Sequence, residues 1–319
     1  LLSVRYPEDS NSRMHILLAM ANCWYHKKDF AVAKKNYSHY SVLCKSKYGD
    51  QSMEYANSLY YLANIEGFTN EKQVGCKDYR QAAILLKELI KKQLRYLPTN
   101  ARTKYWNDLS DILWNMTAYA VKIGVRQESF ACDAYNALVF SKGLILESER
   151  SMRNLLRQSG TEEDLILYNK MLLLQSRLTE VGRTTGKETE NANELYFQID
   201  QIDKQLASKC SFYGNYTQFL NTQYEDIKNA LKEGEVAIDF TDFKLDSVHC
   251  YAAYVLRKEW EYPLLVPLFN QNQLDSLYNT VNNITDRLYH FPYSQSLLKL
   301  CWESLSHYIH LGETVYYVP

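Results

Sequence analysis

Glycine and proline are scarce: 11 and 6 residues in a chain of 319. With so few helix breakers, most of the chain is predicted helical. No apolar run approaches the roughly 20 residues that cross a bilayer, which excludes a membrane-spanning helix. No two of the seven cysteines lie within three residues of each other. Redox CxxC elements and zinc ribbons are therefore excluded, and the thiols read as reduced, packed side chains of a cytoplasmic protein. There is no excess of one charge either, with 36 Lys and Arg against 37 Asp and Glu. That balance argues against a broad nucleic-acid surface or a polybasic membrane patch. A glycine-rich phosphate loop is also missing. What the chain has in excess is tyrosine, 27 copies, suited to helix interfaces whose edges reach water.

Residues 12–97 carry a weak internal repeat. Leu17, Met20, Ala21 and Trp24 occupy one helical face, and Leu59, Leu62, Ala63 and Glu66 repeat the spacing 42 residues later. Asp29, Phe30, Ala33 and Tyr37 are matched at an offset of 49 by Asp78, Tyr79, Ala82 and Leu86. The difference predicts seven extra residues in the second inter-helix loop, Thr69 to Lys77. This pattern resembles tetratricopeptide repeats, with Glu66 standing where an aromatic is usual. Hairpins of this kind must stack to bury their apolar faces, and the stack leaves a concave surface for a protein or peptide partner.

Pro98 ends this section, and Thr99 is placed to cap a helix running to about Val125. A second long helix is predicted over 128–158, stopped by Gly160. Leu167, Met171, Leu174, Leu178 and Val181, then Leu195, Ile199, Ile202 and Leu206, form two heptad seams around the polar stretch Gly182 to Asn193. They predict an antiparallel helical hairpin with coiled-coil-like packing. Neither seam carries inward carboxylate–histidine pairs, so a cofactor seat there is not indicated.

The character changes at Gly234. Val236–Phe240, Cys250–Leu256 and Leu264–Phe269 read as strands, 272–289 and 294–310 as helices, and Thr314–Val318 as another strand. The domain expectation is helical repeats over 1–97, a helix pair continuing the array over 98–160, the hairpin over 161–230, and an α/β part over 231–319.

The segments Leu231–Phe240, Tyr251–Arg257, Pro263–Phe269, Leu300–Leu305 and Val315–Pro319 resemble, in order, the opening of a CHAT domain. CHAT domains are caspase-like modules found behind tetratricopeptide repeats, and Ala134–Leu144 is similar to the helical region that precedes them in bacterial members. The resemblance implies a mainly α chain with the N-terminal portion of an α/β caspase-like domain, and cysteine peptidase chemistry regulated through a partner on the repeats. The family's His and Cys follow the strand represented by Val315–Val318, so no catalytic residue carries over. The alternative is a non-catalytic interaction scaffold. Leu1 in place of Met, and a strand at the other end, read as two cut ends, and an open sheet edge at Val318 is expected to drive association.

Four local features bear on chemistry. His249 and Cys250 are adjacent, but neighbours on a strand point to opposite faces and form no dyad. Cys301, beside Trp302 on a helical pattern, reads as a packed thiol. Glu303, His307 and His310 fall at i, i+4 and i+7 and would share one helix face, but no supporting acid accompanies them and no metal is expected. Asp239 sits in an apolar strand, where an acid facing a helix N-terminus or an Arg is the structural explanation. No cofactor is implied.

Overall fold

The computed structural model describes residues 11–69, 71–94, 111–126, 128–146, 160–185, 190–209, 220–278 and 293–318. The fold is mainly helical with one four-stranded mixed sheet. It divides into two compact units, Leu1–Ile112 with Phe140–Thr222, and Leu113–Val139 with Gln223–Pro319.

In the first unit, α1 (Asn11–His26), α2 (Phe30–Tyr48), α3 (Met53–Glu66) and α4 (Lys72–Leu94) pack each against the next. Short connections make them antiparallel neighbours. Local chemistry sets the ends: the Asp29 carboxylate accepts from Val32 N at 3.2 Å, and the Ser52 hydroxyl from Tyr55 N at 3.2 Å. Gly49 closes α2 at φ 87°, where any side chain would be strained. Ala21 and Ala33 are fully buried beside Tyr37, Leu62 and Ile65, so small residues bring the helices close while larger ones fill the gap.

The seven extra residues of the second hairpin do not form a loop. Helix α4 starts at Lys72, seven residues before Tyr79, the match of the Phe30 that starts α2, so the insertion is helical. Nothing in Lys72–Lys77 opposes helix except Gly75, and a single glycine costs only about 1 kcal/mol.

The heptad hairpin is formed by α7 (Glu162–Thr185) and α8 (Glu190–Lys209). Met171, Leu174, Leu178, Ile199, Ile202 and Leu206 are its buried seam. Its helices intrude on both ends of the stretch Gly182 to Asn193, which leaves a shorter connection than the polarity of that stretch suggests.

The second unit holds α5 (Asp111–Ile123) and the start of α6 (Ser129–Leu146), then α9 (Tyr224–Ala230), β1 (Glu235–Leu245), β2 (Val248–Arg257), β3 (Leu264–Asn270), α10 (Gln271–Tyr278), α11 (Tyr293–Trp302) and β4 (Thr314–Val318). Residues 113–139 thus belong with the strands, where a continuation of the helical array is the sequence expectation. Thr99 and the 147–159 part of the second long helix lie outside the described residues, as does 279–289 of the helix expected to follow β3.

The sheet order is β3-β2-β1-β4, with β1–β2 and β2–β3 antiparallel and β4 parallel to β1. β1 runs five residues past Phe240 and turns through Asp246 and Ser247, both at positive φ, into a two-residue hairpin. One face buries Val236, Ile238, Ala253, Val255, Val266 and Leu305. The other carries Asp239 and Tyr254, which meet α5 and α6. Pro267 lies in β3, an edge strand that tolerates a missing donor. Leu265 N on that strand donates to Arg126 O at 2.8 Å, so the α5–α6 connection ties to the sheet edge.

Candidate functional site

One partner that the structure shows for Asp239 is a phenol; the sequence context suggests a helix N-terminus or an Arg. The Tyr135 hydroxyl of α6 donates to Asp239 Oδ2 at 2.5 Å. Burial and the neighbouring carboxylate push the Tyr135 phenol well up, so it stays a donor at any ordinary pH. Tyr135 stacks on Tyr254 with ring centroids 5.0 Å apart, and the Tyr254 hydroxyl shares a 3.1 Å hydrogen bond with Thr117 of α5. A buried carboxylate, two tyrosines and a threonine thus join β1 and β2 to two helices. These four side chains include neither thiol nor imidazole, and their chemistry is that of a polar lock.

A second lock holds the entry to β4. Arg257, at the end of β2, donates from both terminal nitrogens to Glu313, at 2.8 and 2.6 Å, and also to Tyr308 O at 2.7 Å. Its guanidinium lies 5.9 Å from the Trp260 ring centre. The Arg257 hydrogen bonds, with one from His310 N, draw the Glu313 carboxyl down to about 2.

Among the described residues, the histidines and cysteines singled out in the sequence do not assemble. His249 and Cys250 are neighbours on β2, where alternation separates their side chains; His249 Nδ1 lies 3.4 Å from Asp242 Oδ2 across the hairpin, without hydrogen-bond geometry. Helix α11 ends at Trp302, and His307 falls in a short 3-10 turn, so Glu303, His307 and His310 share no helix face. The helix stops because the chain must turn to insert Leu305 into the sheet's core. Among the described residues no three His, Cys, Asp or Glu side chains are grouped to hold a metal. Burial raises the thiols of Cys44, Cys250 and Cys301, and takes Cys132 up to about 11. These four are the reverse of activated nucleophiles.

In the first unit the unusual Glu66 is explained by Lys34, whose ammonium bridges Glu66 Oε1 at 3.0 Å and Glu71 Oε2 at 2.5 Å. Burial still outweighs Lys34 and lifts the Glu66 carboxyl above its usual value. This ties α2 of the first hairpin to the α3–α4 corner of the second. No described helix is long and apolar enough to cross a membrane.

Sequence reasoning missed Tyr135, Tyr254, Arg257 and Glu313. A tyrosine inside an otherwise apolar strand was the available signal, because a buried hydroxyl demands a partner. The Arg257–Glu313 pair, 56 residues apart, leaves no local trace.

No family model matches the chain, and no match is found among curated proteins or solved structures.

Proposed function

We propose that this chain is the repeat-bearing part of a repeat-plus-CHAT protein, with residues 235–318 forming the front of a caspase-like module. The observation that carries the reading is the sheet: an antiparallel β1–β2–β3 meander, a helical crossover, then β4 laid parallel to β1. That order suits the strand-by-strand resemblance of Leu231–Phe240, Tyr251–Arg257 and Val315–Val318. On this reading the two stacked hairpins hold a protein or peptide partner. The peptidase His and Cys are supplied by sequence that follows β4, in a reducing, cytoplasmic setting. A non-catalytic scaffold is the second reading, and the raised Cys132 thiol and tyrosine-bound Asp239 are compatible with both.

The test is to sequence the gene past the codon for Pro319 and assay the full-length product. The peptidase reading expects a His-Gly after one strand, a Cys ending a later one, and peptide hydrolysis lost on Cys→Ala substitution. Residues 1–319 alone should hydrolyse nothing. A full-length protein without that pair leaves the scaffold, and hydrolysis unchanged by the Cys→Ala change overturns both readings.

A further inference from the structure

The first hairpin is strongly basic and the second is not. Asn11–Gly49 contains seven Lys and Arg against a single carboxylate, Asp29, whereas Met53–Leu94 has six against five. Since the whole chain has a net charge of −1, this excess is local. Asp29 is committed to the cap of α2, and Lys34 to Glu66 and Glu71. The first turns of α1 and α2 hold no acid, although carboxylates are favoured there. Lys45 and Lys47 at the end of α2 suit the helix dipole, but Lys35, nearer its start, has no such reason.

The buried side of α2 is Ala33, Tyr37, Ser41 and Cys44. Its opposite side presents Lys35, His39, Val42 and Lys45, at i, i+4, i+7 and i+10, all exposed. Val42 is 67% exposed, an apolar residue set between two cations. Ten residues of helix put Lys35 and Lys45 about 15 Å apart along the axis. That spacing exceeds the screening length of about 8 Å at physiological salt, so the stripe attracts charge near it rather than at long range.

We propose that this face of α2 docks an acidic segment of a protein partner, with carboxylates over Lys35 and Lys45 and an apolar side chain on Val42. Charge complementarity selects the occupant. A nucleic acid is disfavoured because the stripe offers only two lysines, few contacts for a phosphate backbone. Outside the hairpin the chain is net acidic and repels a long polyanion. The inference rests on the reading that the helices hold a partner, and is independent of the peptidase assignment.

The experiment uses residues 1–319 and a fluorescein-labelled peptide of repeated Glu-Leu-Glu-Asp units, followed by anisotropy. Binding is expected at about 50 mM salt and should weaken roughly tenfold or more by about 500 mM. The variant Lys35→Gln/Lys45→Gln/Lys47→Gln should lose a similar factor; because Lys45 and Lys47 also lie 5.4 Å over the Tyr55 and Tyr48 rings, the single change Lys35→Gln should show part of that loss with an unchanged circular dichroism melt. Lys170→Gln, the loss of one charge on an exposed residue of α7, should change nothing, against a measurable loss for Lys35→Gln alone. Competition by oligothymidylate on the unaltered protein tests the polyanion alternative without any variant. No peptide binding, equal affinity in the triple variant, or displacement of peptide by oligothymidylate at lower concentration each overturns the proposal. None of these results bears on hydrolysis by the full-length protein, so failure here is distinguishable from failure of the CHAT reading.

Discussion

Tyr135 gives the buried Asp239 a donor, and the two residues come from α6 and β1. Tyr135→Phe keeps the ring and its stack on Tyr254 but takes that donor from a buried carboxylate, a change that costs about 1–3 kcal/mol. The urea midpoint should fall accordingly. An unchanged midpoint in Tyr135→Phe would mean the lock contributes nothing. The Arg257–Glu313 pair acts through a depressed carboxyl. Its stabilisation is present above the usual carboxylate value near 4.5 and is lost as pH falls through about 2. Glu313→Gln is therefore expected to be less stable than the parent at neutral pH, with the gap closing between about pH 4.5 and 2. Urea titrations across that range check the sign, and a gap that widens toward acid would refute it.

Elements follow from periodicity wherever one face is buried against one neighbour. The seam residues Leu174, Leu178, Ile199, Ile202 and Leu206 are buried as their spacing demands, and the four strands stand where apolar runs rich in β-branched and aromatic residues place them. Element ends were less legible. β1 outruns its apolar segment because Asp242, Lys244 and their partners across the hairpin extend the ladder with one face in solvent. α11 stops short of its periodic pattern because Leu305 is required in the sheet core, a demand made by residues far away in sequence. Nor could any local pattern assign residues 113–139 to the sheet, since an apolar helix face does not say what it packs against. The small residues of the hairpin stack, by contrast, make a prediction of their own. Ala21 is fully buried between facing helices, so Ala21→Leu overpacks that contact and should cost about 1–3 kcal/mol in thermal or urea unfolding. An exposed neighbour substituted the same way, Ala19→Leu, is the control and should leave stability nearly unchanged.

For the molecule as a whole, thiol chemistry distinguishes a chain that carries its own nucleophile from one that does not. Cys23 is exposed, Cys76, Cys250 and Cys301 are half-buried, and Cys44 and Cys132 are buried. A caspase-like nucleophile would be a thiolate held accessible beside a base, and would react out of proportion to its exposure. With Cys44, Cys132, Cys250 and Cys301 pushed up by burial, exposure alone should set the order of reaction among the described thiols. Iodoacetamide at neutral pH, followed by peptide mass spectrometry over time, is expected to modify Cys23 first and the half-buried thiols more slowly. Cys44 and Cys132 should react only when urea opens the fold. A buried or half-buried cysteine that outpaced Cys23 would reveal an activated thiolate within residues 1–319. Both the peptidase reading, which places the nucleophile after β4, and the scaffold reading would then have to give way to a catalytic centre in this part of the chain.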